Sequence, residues 1–437
     1  MKTKAAGKDR INIITLGCSK NLVDSEQLAG QLAASGIGVI HEDRTKRHNI
    51  SVINTCGFID RAKEESVHTI LQQVELKRRG QLDKVFVTGC LSARYRDELS
   101  LEIPEVDDWF GTQELPALLH RLGADYRTEL LGERLLHTPG HYAYLKISEG
   151  CNRTCAFCAI PLMRGTHVSK PMEQVLAEAR KLVAGGVREI LLIAQELTYY
   201  GLDLYQKRML PQLLDQLADI QGLDWIRLHY AYPDKFPMEI LEVMKARENI
   251  CKYLDMPLQH INDRILSAMR RRITSQGIRE LIGSIREQVP GISLRTTLIV
   301  GFPGETSSEF EELMDFVRET RFDRLGIFTY SPEEGTRAYP LPDDVPAEQK
   351  AQRAAEIMDL QREISLELNL GKVGSILNVL VDRKEADRWI GRTSADSVEV
   401  DNEVIIHGDT ELRCGQFVAV KILQAYDYDL EGIAWVP

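Results

Sequence analysis

No stretch of this 437-residue chain is apolar for the roughly 18 residues that a membrane-spanning helix needs. The first ten residues, Met1 to Arg10, lack the apolar centre of a secretory leader and read as a short disordered arm. There is no internal repeat and no low-complexity segment. Basic charge is in deficit: 54 Lys and Arg stand against 65 Asp and Glu, a net charge of −11. That balance favours a basic partner over a polyanion, although a local basic patch is compatible with it. Together these absences predict a cytoplasmic protein with no membrane part. In a reducing compartment the eight cysteines are not expected to form structural disulfides, so metal or catalytic roles gain weight.

What is present is ordinary for a globular protein, with 43% hydrophobic and 27% charged residues, and the length suits two or three domains. Residues 11–125 alternate apolar runs, such as Ile11 to Leu16, Ile50 to Asn54 and Lys84 to Thr88, with helical patterns. This is a parallel α/β layout. A second unit, 137–369, repeats strand and helix six times, with candidate strands starting at Tyr144, Ile190, Ile226, Tyr253, Leu294 and Arg324. That pattern suits a partial or full βα barrel, whose chemistry gathers at the C-terminal strand ends. A charged helix over 346–370 closes it. From residue 370 to 437 the texture is β-rich, with runs at Ile376 to Asp382, Ser397 to Ile406, Gln416 to Ala425 and Leu430 to Val436, the pattern of a small β-barrel.

The most specific signal is Cys151-Asn-Arg-Thr-Cys155-Ala-Phe-Cys158, three soft thiolate ligands in eight residues. Three ligands on a four-iron cluster leave one iron open for a substrate or cofactor, whereas a structural zinc usually closes its shell with four. A distant fourth ligand, and hence zinc, stays open at this point. Cys18, Cys56 and Cys90 are far apart in sequence, yet each follows the end of an apolar strand. In an open parallel sheet such ends lie along one edge, about 4.8 Å from strand to strand, so three thiols there can converge. Gly17, Gly57 and Gly89 would allow the close turns. The alternative is three buried cysteines acting as small hydrophobes. Cys251 and Cys414 have no partners at useful spacing and read as structural.

The C-x-x-x-C-x-x-C loop after a barrel's first strand resembles the radical S-adenosylmethionine (SAM) superfamily. Three lone strand-end cysteines, this loop and a terminal β-barrel together resemble the methylthiotransferase family over nearly the whole chain. The resemblance implies a flavodoxin-like domain, a radical SAM barrel (a partial TIM barrel) and a TRAM domain. It also implies two 4Fe-4S clusters, on Cys151, Cys155 and Cys158 and on Cys18, Cys56 and Cys90, with S-adenosyl-L-methionine as cofactor. The first cluster would cleave SAM to a radical that takes a hydrogen from the substrate; the second would hold the sulfur that becomes the methylthio group. Phe157, Gln195, Glu196, Arg295 and Gly301 stand where the family contacts its cofactor, although Ala194-Gln195-Glu196-Leu197 departs from the usual wording. An ordinary βα turn is the alternative for Gly301. No side chain is expected to act as acid or base, since a saturated carbon has no acidic proton.

Local matches such as Cys18-Ser-Lys-Asn-Leu-Val-Asp-Ser-Glu26, Pro257-Leu-Gln-His260 and Tyr330-Ser-Pro-Glu-Glu-Gly-Thr336 point to the branch that modifies an aspartate β-carbon of the small-subunit ribosomal protein S-twelve. The alternatives are a tRNA adenosine methylthiotransferase and, from another class, a non-catalytic iron–sulfur scaffold. Residues 371–437 hold seven Lys and Arg against twelve Asp and Glu. An acidic TRAM domain complements a basic ribosomal protein and makes tRNA an unlikely ligand, and Asp396, Glu399 and Asp401 are its expected contact charges. An electron donor and a sulfur donor are also implied. Arg164 reads either as a contact to substrate or cofactor or as a surface charge. Arg270-Arg271-Arg272 reads as a solvated helix end, with an RNA contact as the alternative.

Overall fold

The computed structural model describes residues 9–42, 47–127, 130, 132–408 and 411–435. It divides into two compact units: 1–137 with 144–152 and 159–181, and 138–143 with 153–158 and 182–437.

The first unit opens with β1 (Arg10–Thr15), α1 (Ser19–Ala34), β2 (Gly38–His41), β3 (Ile50–Thr55), α2 (Asp60–Arg78), β4 (Lys84–Gly89), α3 (Cys90–Glu102), β5 (Asp108–Trp109) and α4 (Leu115–Arg121). Its sheet is parallel throughout in the order β2-β1-β3-β4-β5, the flavodoxin-like arrangement. Every residue of β3 is buried, as expected of a strand covered by helices on both faces. Its residues alternate between two cores: Val52 packs with Ile11, Leu28 and Phe86, and Ile53 with Ile70, Val85 and Val87. Of the expected disordered arm, residues 1–8 lie outside the described residues. Arg10 is not part of an arm; it pairs with Gly38 as the first residue of β1.

The order makes β1, β3 and β4 neighbours, with Thr15 beside Asn54 and Thr55 beside Gly89. Gly89 has φ +101°, and a Cβ there would lie 2.4 Å from the Thr55 carbonyl oxygen. The residue before Cys90 is therefore restricted to glycine by both conformation and space. Gly89→Ala should cost about 2–4 kcal/mol, read as a lowered urea midpoint with an unchanged slope.

The middle of the chain contributes β6 (Tyr142–Lys146), β7 (Ser148–Glu149), α5 (Ile160–Arg164), β8 (Val168–Ser169) and α6 (Met172–Ala184). Then come β9 (Glu189–Ile193), α7 (Leu210–Ala218), β10 (Trp225–Leu228), α8 (Glu239–Ala246), β11 (Ile250–Asp255), α9 (Asp263–Ala268), α10 (Ser275–Gln288), β12 (Ser293–Val300), α11 (Ser307–Thr320), β13 (Arg324–Thr329) and α12 (Ala347–Leu370). The sheet runs β13-β12-β11-β10-β9-β6, six strands in an open partial barrel. The α11 start is a capping box, in which Thr306 accepts from the Glu309 N–H and the Glu309 carboxylate accepts from Thr306.

The terminal strands β14 (Ile376–Glu385), β15 (Arg388–Thr393), β16 (Val404–His407), β17 (Phe417–Ala425) and β18 (Leu430–Ala434) close a five-stranded barrel in the order β14-β15-β16-β18-β17. The expected strand from Ser397 is a loop up to Val404, and β15 takes its place in the hairpin. Sequence pattern offered no strand at β15, where Arg392 interrupts the apolar run. Its guanidinium is buried on Asp382 (2.7 Å) and Glu189 (2.7 Å), and Glu189 also accepts from Arg227 at 2.8 Å.

The loop after β15 is held by the sheet of the same unit. Arg324 donates to Asp396 at 2.9 Å, Tyr253 to Asp401 at 2.7 Å, and Arg295 lies 3.3 Å from Asp401. Asp396 and Asp401 are therefore internal carboxylates, not contact charges for a partner, which corrects the sequence reading. Glu399 is exposed. No helix among the described residues is long and apolar enough to cross a membrane.

Candidate metal centres

Cys18, Cys56 and Cys90 follow β1, β3 and β4, the three adjacent strands of the first sheet. Cys18 is exposed and precedes α1; Cys56 and Cys90 are buried. The turns are as tight as the glycines suggested. A Cβ on Gly17 would lie 2.8 Å from the Cys56 Sγ, and one on Gly57 would lie 2.9 Å from the Leu91 backbone. Ser66 holds the Cys56 peptide from both sides: its hydroxyl accepts from the N–H at 3.0 Å and donates to the carbonyl at 3.0 Å. Burial pushes the Cys90 thiol up to about 11 and raises Cys56, and the neighbouring Cys18 adds to both shifts.

Arg164 is not a surface charge. It is buried, and its Nε donates to the Cys90 Sγ at 3.2 Å. Its Nη1 reaches Asp24 at 2.7 Å and Glu149 at 3.2 Å, and Nη2 donates to Asn21. Lys146 shares the same two carboxylates, at 2.6 Å from Glu149. Two cations and two anions thus balance beside Cys90 in a partly buried network. Ala159, Ile160 and Met163 pack on Cys90, so the segment that follows Cys158 belongs to the wall of this site.

Cys151, Cys155 and Cys158 share one loop. The Cys151 N–H donates to Gly165 O at 3.1 Å, and Gly150, at φ +74°, leaves no room for a Cβ beneath Thr166. In the second unit, Ala156 is pinned by Met269 O at 2.9 Å and by the Ala338 N–H at 2.8 Å. Phe157 lies half-buried against Ala156, Ile265, Met269, Phe302 and Tyr330. Cys155 lies 3.7 Å from the Tyr232 hydroxyl and 3.4 Å from Arg271 Nη1. Arg153 anchors the loop on Asp234 at 2.9 Å and Glu196 at 3.1 Å.

Among the described residues no three His, Cys, Asp or Glu side chains are drawn together as ligands of a single metal ion. A multi-iron cluster spaces its thiolates more widely than one ion does. In donor chemistry the residues fit such a cluster: each set offers three soft sulfurs, none in a disulfide.

The other expected cofactor contacts fare differently. Gln195 follows β9 as expected. The Glu196 carboxylate is already used: Oε1 accepts from the Thr198 N–H (2.8 Å) and hydroxyl (2.6 Å), and Oε2 faces Arg153. Burial nevertheless raises it. Arg295 pairs with Asp255 at 3.0 Å and lies 3.3 Å from Asp401. The Gly301 N–H donates to Glu305 at 2.7 Å and a Cβ there would strike the Lys350 stem, so the turn itself requires glycine.

Arg270 and Arg272 are exposed, as a solvated helix end would be, and border a cavity of about 750 Å³ with Thr154. Arg271 corrects that reading: it is buried and turned toward Cys155. Nothing in the periodicity separates Arg271 from its neighbours. Its one sequence signal is its place in an unbroken arginine run that no helix pattern requires.

Three family models match: the radical SAM superfamily over residues 145–317, the uncharacterized protein family UPF0004 over 10–111, and the TRAM domain over 373–434. The chain is 58% identical over 433 residues to a ribosomal protein uS12 methylthiotransferase RimO of Christiangramia forsetii, covering 99% of this chain and 96% of that one. It is 54% identical to the protein of the same name from Bacteroides thetaiotaomicron, over 97% of this chain and 98% of that one. Among solved structures, the radical SAM methyltransferase TsrM of Kitasatospora setae matches with TM-score 0.57 at 14% identity, over 85% of this chain and 80% of that one. The cobalamin-dependent SAM radical enzyme OxsB matches with TM-score 0.52 at 13% identity, over 80% and 56%. At these identities the two structures speak for the fold alone. The chain belongs to the radical SAM methylthiotransferases, in the family of ribosomal protein uS12 methylthiotransferases.

Proposed function

We propose that this enzyme replaces a hydrogen on the β-carbon of an aspartate of ribosomal protein uS12 with a methylthio group. The observation that carries the reading is the second cysteine set, three thiols at the ends of β1, β3 and β4, in a chain that also carries the radical SAM loop. A radical SAM enzyme that only abstracts hydrogen has no need of it. In this reading Cys151, Cys155 and Cys158 hold one iron–sulfur cluster, which works with SAM, and Cys18, Cys56 and Cys90 hold a second. When bound, these groups supply one-electron reduction and transferable sulfur, chemistry that no side chain in the protein offers.

The chain's own residues do the positioning. Ser66 fixes the Cys56 peptide, Arg164 holds Cys90 in a charge-balanced wall, and Arg153 ties the radical loop to Glu196 and Asp234. Phe157 supplies an apolar face beside the loop, where a flat base could rest. No general base is required. The functional segments are taken as 11–125, 137–369 and 370–437. The carboxylates of the TRAM barrel that remain outside, Glu399 among them, suit a basic ribosomal protein better than tRNA. An electron donor and a sulfur donor complete the proposed system, and a ribosomal substrate is consistent with a cytoplasmic enzyme.

Mass spectrometry of ribosomal proteins and tRNA, from strains with and without this chain, tests the assignment. The expected result is that uS12 loses the mass of one CH2S unit at an aspartate when the chain is absent, while tRNA is unchanged. Loss of methylthio-adenosine from tRNA would instead select the tRNA reading.

A further inference from the structure

Two arginines stack on one tyrosine beneath the radical loop. The guanidinium carbon of Arg153 lies 3.8 Å from the Tyr232 ring centre and that of Arg271 lies 4.0 Å from it. Both guanidinium groups therefore lie within cation–π distance of this one ring. The two cations are not equivalent. Arg153 is neutralised by Asp234 and Glu196. Arg271 is 3% exposed and, among the described residues, has no carboxylate within ion-pair distance; its Nε is buried without a hydrogen-bond partner. Its remaining contacts are Pro257 O, reached by Nη2, and the Cys155 Sγ, 3.4 Å from Nη1. The Tyr232 hydroxyl donates to the Arg271 carbonyl at 2.9 Å and fixes the backbone. Arg270 (φ +59°) and Arg272 (φ +56°) flank it in the left-handed region. That unfavourable backbone on both sides turns Arg271 inward while its neighbours face solvent.

A buried cation without a counter-ion is strongly disfavoured unless an anion completes the site. We propose that Arg271 is a positioning residue for the cluster of the Cys151–Cys158 loop, serving as the counter-cation and N–H donor of the Cys155 thiolate and holding the cluster's reduction potential up. This rests on the reading that these cysteines carry a cluster. Hydrogen bonds to cluster sulfurs and nearby positive charge both favour the reduced state.

The test uses full-length protein reconstituted with iron and sulfide, in a Cys18, Cys56 and Cys90→Ala background so that one site is read. Iron content and the reduction midpoint are measured by EPR-monitored redox titration without SAM. Arg271→Gln should keep iron and shift the midpoint negative. Arg271→Lys should fall between it and wild type, and Arg270→Gln or Arg272→Gln, which remove the same charge from solvent, should leave the midpoint in place. Loss of iron in Arg271→Gln, restored in Arg271→Lys, would also support the proposal, because charge then retains the cluster. An unshifted midpoint in Arg271→Gln overturns it, as does loss of iron in both variants. A native midpoint with weakened SAM binding overturns it as well and assigns Arg271 to the SAM carboxylate. If the background protein binds no iron at all, the cluster reading itself fails.

Discussion

Cys18→Ala, Cys56→Ala and Cys90→Ala should each drive methylthio transfer to uS12 below detection, while 5′-deoxyadenosine is still released from SAM under anaerobic reducing conditions. The reason is a division of labour between two sites built on different elements. Cys18, Cys56 and Cys90 hang on three adjacent strand ends of the first sheet, and Cys151, Cys155 and Cys158 lie on one loop held by contacts of its own. Removing a thiol from the first set leaves the contacts of the second loop, from Ala156–Met269 to Arg153–Asp234, intact. The converse variant, with Cys151, Cys155 and Cys158 all replaced by Ala, should lose both products and about half the bound iron while keeping a chromophore. Chromatographic assay of 5′-deoxyadenosine beside peptide mass spectrometry reads both outcomes. Loss of 5′-deoxyadenosine in all three strand-end variants, with the loop cluster spectroscopically intact, would contradict the separation of roles.

Arg392→Met should destabilise the protein by about 3–5 kcal/mol, the range for removing one partner of a buried ionic network. Glu189 and Asp382 would each keep one partner, Arg227 and His141, but neither would be fully compensated. Urea unfolding at pH 7 measures the loss, and a change under about 1 kcal/mol would mean that the network is not coupled. Buried carboxylates also set an acid limit. Burial alone would raise Asp255, but the neighbouring His229 and the charge of Arg295 hold it down to about 2. Its folded value therefore lies below the unfolded one near 3.9, and its contribution is present above that value and lost as pH falls toward 2. That group alone contributes roughly 2–3 kcal/mol at neutral pH. Glu189, Asp382 and Asp396 are shifted in the same direction, so the urea midpoint should fall steadily as pH drops through the carboxylate range.

The sequence alone determined the architecture and the six cysteines, and the physical reason is local. The runs Ile50 to Asn54 and Lys84 to Thr88 are apolar on both faces because helices cover both sides of the sheet. A cysteine placed just past such a run is at a strand end wherever the strand lies. Glycines beside the cysteines announced the close approaches that a Cβ would block. The charged text of α12 was legible as a helix from its pattern.

Tertiary structure decided which charges are spent inside. Arg164, Arg271, Arg295, Asp396 and Asp401 read as surface groups or ligand contacts, and Arg392 drew no reading. Each is instead held by a partner distant in sequence: Cys90 lies 74 residues from Arg164, Cys155 lies 116 from Arg271, and Glu189 lies 203 from Arg392. Periodicity reports only which face of an element a residue occupies. It does not report whether that face meets water or a carboxylate from another element, and burial of a charge depends entirely on that partner. The strand β15 was missed for the same reason, since its Arg392 looks polar until Asp382 and Glu189 close around it.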